Sequence, residues 1–226
     1  MEKRLIIACE MMRPELESVM EELGAEDPVM WMERGLHSVP KNLTHALSDA
    51  LREAERVYVP DTVLLGYGFC GNAMAGVRAG NFRLILPRID DCITMFIGSR
   101  SRKRQLESGV GTVFLTKGWI ESDENILTQR QALIDDYGEE DGLELFDMMY
   151  GHYNRIGLLD THCCPLAELE KKTRHVADVL GFEHKVFEGT DERLRQLLTG
   201  PWTEDKFVVK EPHEEITAQD LVIESQ

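Results

Sequence analysis

The chain has 226 residues, 42% of them hydrophobic and 29% charged, a composition that fits one folded domain with a sizeable core. Its 25 basic and 41 acidic residues give a net charge of −16, which repels nucleic acid and anionic membranes, and no apolar run approaches the ~18 residues of a spanning helix. Five cysteines, an odd number with no signal-peptide core ahead of them, fit reduced thiols in a cytoplasmic protein rather than a disulfide framework.

Leu5-Ile6-Ile7-Ala8 is an apolar run that predicts a first strand. Residues 13–23 follow at helical spacing: Leu16, Val19, Met20 and Leu23 recur at three and four, with Pro14 in the first turn. Val29–Met32 predicts a second strand, and Pro40 opens a helix with Leu43, Leu47, Ala50 and Leu51 on one face. Strand character returns at Val57, but Pro60 confines the ordered part to 62–65. A glycine-rich turn over 66–72 and a short helix over 73–78 lead to a strand at Arg83–Pro87 and a helix at Cys92–Ile97. The cluster Arg100, Arg102, Lys103 and Arg104 is a solvated helix end in the plain reading. In the sharper reading it is an anion or phosphate clamp, or a docking patch for an acidic partner.

A fifth strand covers 112–116. Ser122 or Asp123 caps a helix that runs to Tyr137, and a second helix continues from Gly138 to Tyr150. This acidic pair, 122–153, reads as an insertion or lid. A sixth strand ends at Asp160. Pro165 then starts an amphipathic helix with Leu166, Leu169, Val176, Val179 and Leu180 inward and Gly181 as its stop. A strand at 184–187, a helix from Thr190 to Leu198, a strand at 207–209 and a charged tail over 211–226 complete the chain.

Strands alternating with helices predict an α/β fold: a doubly wound, mainly parallel sheet with helices on both faces, in a single domain over 1–226. Ligands of such sheets bind beyond the carboxyl ends of the strands. The residues there are Cys9; Glu33 and His37; Tyr67, Cys70 and Asn72; Arg88, Asp90, Asp91 and Cys92; Lys117 and Trp119; and Asp160, His162, Cys163 and Cys164. Every cysteine is in this set, whereas core thiols would fall equally in mid-element. A shared active or metal-binding site is the expectation.

Cys70 lies among Gly66, Tyr67, Gly68, Gly71 and Asn72, where glycines let a backbone approach a ligand or cofactor closely. Cys92 opens a helix after two aspartates, which oppose a thiolate unless a cation is near. His162-Cys163-Cys164 places three soft or borderline ligands before a helix. Cys70, Cys92, His162, Cys163 and Cys164 are therefore the candidate metal ligands, and Cys9, His37, Asp91 and Trp119 the candidate catalytic groups. There is no CxxC pair and no P-loop. Gly66, Gly68 and Gly71 make a GxGxxG, which without a following acidic strand end is a weak dinucleotide signal. Asp160-Thr161-His162 begins like the cobalamin pattern Asp-x-His-x-x-Gly, but Pro165 stands where the glycine belongs.

Ile7-Ala8-Cys9, Leu36-His37 with Pro40, the run from Leu65 to Asn72, the run from Pro87 to Cys92, Lys117-Gly118-Trp119 and Asp160-Thr161-His162 together resemble a domain-of-unknown-function family of methanogens and anaerobic bacteria. Its members are often encoded among corrinoid-dependent methyltransferase systems. The resemblance implies anaerobic one-carbon metabolism. In that setting a Cys/His zinc site would keep a thiolate nucleophilic, with iron or an iron–sulfur cluster as alternatives and a corrinoid only through a partner.

Three readings stand. The first is a metal-dependent enzyme or metal-handling protein acting on a small molecule. The second is a metal-free cysteine acid/base enzyme, similar to racemases, with Cys70 facing Cys163. The third is an accessory protein bound to a corrinoid protein or methyltransferase subunit. The sequence leaves the oligomeric state open.

Overall fold

A computed structural model describes residues 2–223. Strand β1 (Arg4–Cys9) is central to the first sheet because it is apolar on both faces and buried along almost its whole length. It pairs in parallel with β2 (Val29–Met32) on one side and β3 (Thr62–Gly66) on the other. β3 pairs in parallel with β4 (Arg83–Pro87), and β4 pairs antiparallel with β8 (Phe207–Lys210), giving the order β2-β1-β3-β4-β8. The chain turns one way from β1 to β2 and the other way to β3. The carboxyl ends of β1 and β3 therefore flank a topological switch point, where open α/β sheets form their ligand crevice.

Helices α1 (Arg13–Leu23) and α2 (Pro40–Glu53) each carry proline in the first turn, where the missing N–H costs nothing. Leu16 and Val19 of α1, and Leu43, Leu47 and Leu51 of α2, are buried in the core. The short helices α3 (Cys92–Ile97) and α4 (Arg100–Leu106) are capped by Asp91 and Ser99, whose side chains accept from the amides of Thr94 and Arg102.

The remaining strands, β5 (Thr112–Leu115), β6 (Arg155–Asp160) and β7 (Glu183–Glu188), form a separate three-stranded parallel sheet in the order β5-β6-β7. A short helix, α5 (Lys117–Ile120), follows β5. The hairpin α6 (Ile126–Tyr137) and α7 (Glu139–Tyr150) is inserted before β6. Helix α8 (Leu166–Leu180) crosses from β6 to β7, and α9 (Glu192–Thr199) returns to the first sheet. One core spans both sheets: Phe114, Leu159 and Phe187 belong to the same buried cluster as β1, β3 and β4. The chain is thus one α/β domain whose strands divide between two sheets.

Several expectations change. The segment 73–78 is not helical; its amides pair instead with Asn72, Met74 and the far end of the chain, Gly76 donating to Ile216 O and Ala79 to Glu214 O. The charged segment is not a free tail over 211–223, since Ile216 is fully buried and Lys210 pairs with Asp220, and 224–226 lie outside the described residues. The cap of α6 is Asn125, whose side-chain oxygen Oδ1 accepts from the amides of Leu127 and Thr128. In α8 the inward stripe is Leu169, Thr173 and Ala177, so Val179 faces solvent. Small residues let that helix lie close on its sheet. No helix of the described residues is long and apolar enough to cross a membrane.

Candidate active site

The sequence around Cys70 folds as it does because its glycines permit close approach. A Cβ on Gly68 would stand 2.8 Å from the backbone of Asp91, so the β3 turn lies flat against the β4 loop. The amides of Phe69 and Cys70 donate to Ile89 O and Asp90 O at 2.7 and 2.8 Å. These bonds clamp Cys70 beside Cys92. Cys70 itself has φ +46°, a left-handed conformation that costs a non-glycine residue about 1 kcal/mol or more. Such strain is commonest at functional sites.

Cys9 at the end of β1, Cys70 after β3 and Cys92 after β4 all line one cavity of about 440 Å³ at the switch point. Met11, Met12, Leu36 and Ile93 make it largely apolar, and Glu33, His37, Asp91 and Trp119 add polar groups. Trp119 comes from the other sheet. A Cβ on Gly118 would sit 1.9 Å from Met11 O, so only glycine lets α5 seat against the turn after β1 and swing the indole over the cavity. His37 packs edge-on against that indole, with ring centroids 5.5 Å apart.

The thiols are neutral in this environment. Burial pushes Cys70 up to about 12, with further contributions from Cys9 and Asp91. Burial, then Cys70 and Cys9, raises Cys92 well above the ordinary thiol value, against which Trp119 acts weakly. Burial raises Cys9 in the same way. Burial also lowers His37, leaving its imidazole uncharged near neutral pH despite Glu124 and Asp91. For Asp91, burial favours the acid, but Lys103 at 3.1 Å and the Thr94 amide at 2.6 Å outweigh it and keep the carboxylate ionised. The paired aspartates are thus accounted for: Asp91 caps α3 and holds Lys103, and Asp90 is forked by Arg100. Two donors in the cavity lack acceptors. Tyr67 Oη is beside Cys9, and Trp119 Nε1 is beside Cys92, yet neither makes a hydrogen bond of acceptable geometry.

A second cavity of about 200 Å³ shares Asp91, Ile93 and Trp119 with the first and is lined further by Gln129 of α6 and Tyr150 of α7. The hairpin therefore forms a wall of the cleft, with Tyr150 Oη donating to Gln129 Oε1 at 2.5 Å.

Not every predicted residue comes to this place. Tyr67, Gly68 and Gly71 line the thiol cavity, whereas Gly66 is spent within β3 against Ala8, and Asn72 is exposed outside the lining. His162, Cys163 and Cys164 do not line it; they follow β6 of the second sheet, whereas the cavity thiols stand at the ends of β1, β3 and β4. His162 faces solvent, with Nε2 2.8 Å from Glu188 Oε1 and Nδ1 3.4 Å from Asp160 Oδ1. Cys163 Sγ is 3.4 Å from Thr161 Oγ1 and 3.9 Å from Cys164 Sγ. Cys70 and Cys163 therefore do not face each other across the cavity. Among the described residues, no three His, Cys, Asp or Glu side chains stand close enough together to hold a metal ion. The cavity thiols open onto a common space rather than a preformed shell.

Sequence reasoning overlooked Glu15. It is fully buried behind Cys163, accepts from Thr161 Oγ1 at 3.2 Å and leaves Oε2 unpaired. The signal was present: Glu15 falls four residues after Met11 and four before Val19, on the apolar stripe.

A family model described as a protein of unknown function (DUF1638) matches residues 31–198. No curated protein and no solved structure matches the chain.

Proposed function

The chain belongs to the DUF1638 family of proteins of unknown function, and we propose that it acts on a small molecule in the three-thiol cavity, with Cys9, Cys70 and Cys92 as soft ligands to a zinc ion. One observation carries this reading: thiols from three neighbouring strand ends line a single cavity at the switch point. Three sulfur ligands with the fourth position left for substrate is the arrangement of a catalytic rather than a structural zinc site.

The residues suit such an ion in two respects. Neutral buried thiols that raise one another's pKa are poor nucleophiles, and a divalent cation among them would ionise them outright. The unpaired donors Tyr67 Oη and Trp119 Nε1 would gain acceptors as soon as Cys9 and Cys92 become thiolates. Closing the ligand set requires the thiols to turn about their single χ1 angle, since they do not form a shell as they stand. Zinc held there would supply a Lewis-acidic centre that keeps a thiolate reactive.

The chain's own groups divide the remaining work. Met11, Met12, Leu36 and Ile93 exclude water from one end of the ligand. Neutral His37, packed on Trp119, can accept a proton at the cavity wall. Asp91 holds the start of α3, and with it Cys92, in place. The resemblance of the sequence to proteins encoded beside corrinoid-dependent methyltransferases supplies the proposed setting. There the substrate is a methylated small molecule or a thiol, and the partner is a corrinoid protein or methyltransferase subunit.

The test is metal content after anaerobic purification, read by plasma mass spectrometry. About one zinc per chain is expected, lost in Cys70→Ser and in Cys92→Ser but kept in Cys163→Ser. Iron with inorganic sulfide would replace zinc by a cluster on the same thiols. A chain without stoichiometric metal, whose wild-type and Cys70→Ser forms take up added zinc equally weakly, would falsify the metal reading.

A further inference from the structure

On the far side of the segment that carries Asp90 and Asp91 lies a cavity of about 610 Å³, lined by Arg88, Arg100, Arg104, Arg193 and Lys206. Its acidic lining is Asp90, Glu204 and Asp205. Among the described residues, five cations against three carboxylates leave an excess of two positive charges in a chain whose net charge is −16. Such a local reversal of sign is what an anion site needs.

The pairing sharpens the point. Arg100 is neutralised by Asp90, but among the described residues Arg88, Arg104, Arg193 and Lys206 have no carboxylate partner. Carbonyl oxygens hold two of the guanidinium groups in place. Arg88 donates from Nε to Glu204 O at 3.0 Å and from Nη1 to Asp220 O at 2.5 Å, and Arg193 donates from Nη1 to Lys206 O at 3.2 Å. Carbonyls fix orientation without cancelling charge. Arg193 is partly desolvated over the Phe207 ring, 5.6 Å from its centroid, and burial lowers its pKa although Glu192 and Asp205 act the other way.

We propose that this cavity binds a phosphate dianion, either free or carried by a small phosphorylated molecule. Fixed arginine forks and a point-charge lysine around a concave site are the chemistry of phosphate recognition. The volume exceeds a bare phosphate and falls within the ~300–1,000 Å³ of small-molecule pockets. The site does not depend on the thiol cavity, and nothing in it requires a metal.

The experiment is isothermal titration of the full chain with inorganic phosphate, pyrophosphate, AMP and ribose 5-phosphate, at low and high salt, paired with thermal shift. Binding that weakens with salt is expected, and the double variant Arg104→Glu, Lys206→Glu should lose roughly tenfold or more in affinity. Neither residue is ion-paired, so the fold should be retained, and the thermal midpoint without ligand checks this. Phosphate binding as tightly as AMP and ribose 5-phosphate identifies the free ion as the ligand, and tighter binding of either phosphomonoester identifies a phosphorylated molecule. The proposal is overturned if none of the four binds, or if a folded double variant binds them as the wild type does.

Discussion

Replacing Glu15 by glutamine should stabilise the protein increasingly as pH rises. Glu15 is fully buried, with one oxygen held by Thr161 and the other unpaired. Burial raises its pKa from 4.5 to about 7, against weaker opposing effects of its own amide, Thr161, Thr116 and Cys163. The folded state therefore keeps a proton between pH 4.5 and about 7 that the unfolded chain has released. Stability falls as pH rises through this window, by about 1.4 kcal/mol per unit, to a full penalty of about 3 kcal/mol above it. Most of that falls between about pH 5 and about pH 8. Glutamine has the same shape, can accept from Thr161 and does not titrate. Urea denaturation of both proteins at several pH values isolates the term, because every other titrating group cancels in the difference. Cys163, pushed up to about 12 by burial and Glu15, releases its proton only well above this range. If the two stability curves run parallel from pH 5 to pH 8, Glu15 is ionised in the folded protein and the reasoning fails.

Two further outcomes follow from the geometry. In metal-free, reduced protein the Cys70 thiol, pushed up to about 12, should react with iodoacetamide roughly 50-fold more slowly at neutral pH than a free thiol. Its thiolate fraction is about a thousandfold smaller, partly offset by the greater nucleophilicity of a more basic sulfur. Peptide-resolved alkylation rates should still be rising above about pH 9, and a plateau below that value would show an ionised thiol. Gly118→Ala should cost about 1–3 kcal/mol or more, because the new Cβ would meet Met11 O at 1.9 Å and neither backbone can turn aside. A change below about 0.5 kcal/mol in urea denaturation would mean that α5 is not seated as described.

Much of the fold was legible in the chain, and so was part of the site. Short apolar runs, such as Leu5 to Ala8 and Leu84 to Leu86, specify strands because both faces of a parallel sheet are covered. The proline starts of α1 and α2 and the glycine ends of α1 and α8 are local backbone effects that need no tertiary partner. For the same reason the sequence alone placed Cys9, Cys70 and Cys92 just beyond strand ends, where a doubly wound sheet puts its ligands.

Which strand ends share a cavity is a different matter, because strand order is set by long-range pairing. Only the tertiary structure places β1, β3 and β4 side by side and sends β6 to a second sheet, so that Cys70 and Cys92 line one cavity while His162, Cys163 and Cys164 stand apart from it. It also decides the environments. Glu15 lies on an apolar stripe in the sequence, but its raised pKa needs the second sheet packed over it. Arg88, Arg104, Arg193 and Lys206 are scattered surface charges along the chain, and they become a site only where β4, β8 and α9 bring them around one cavity.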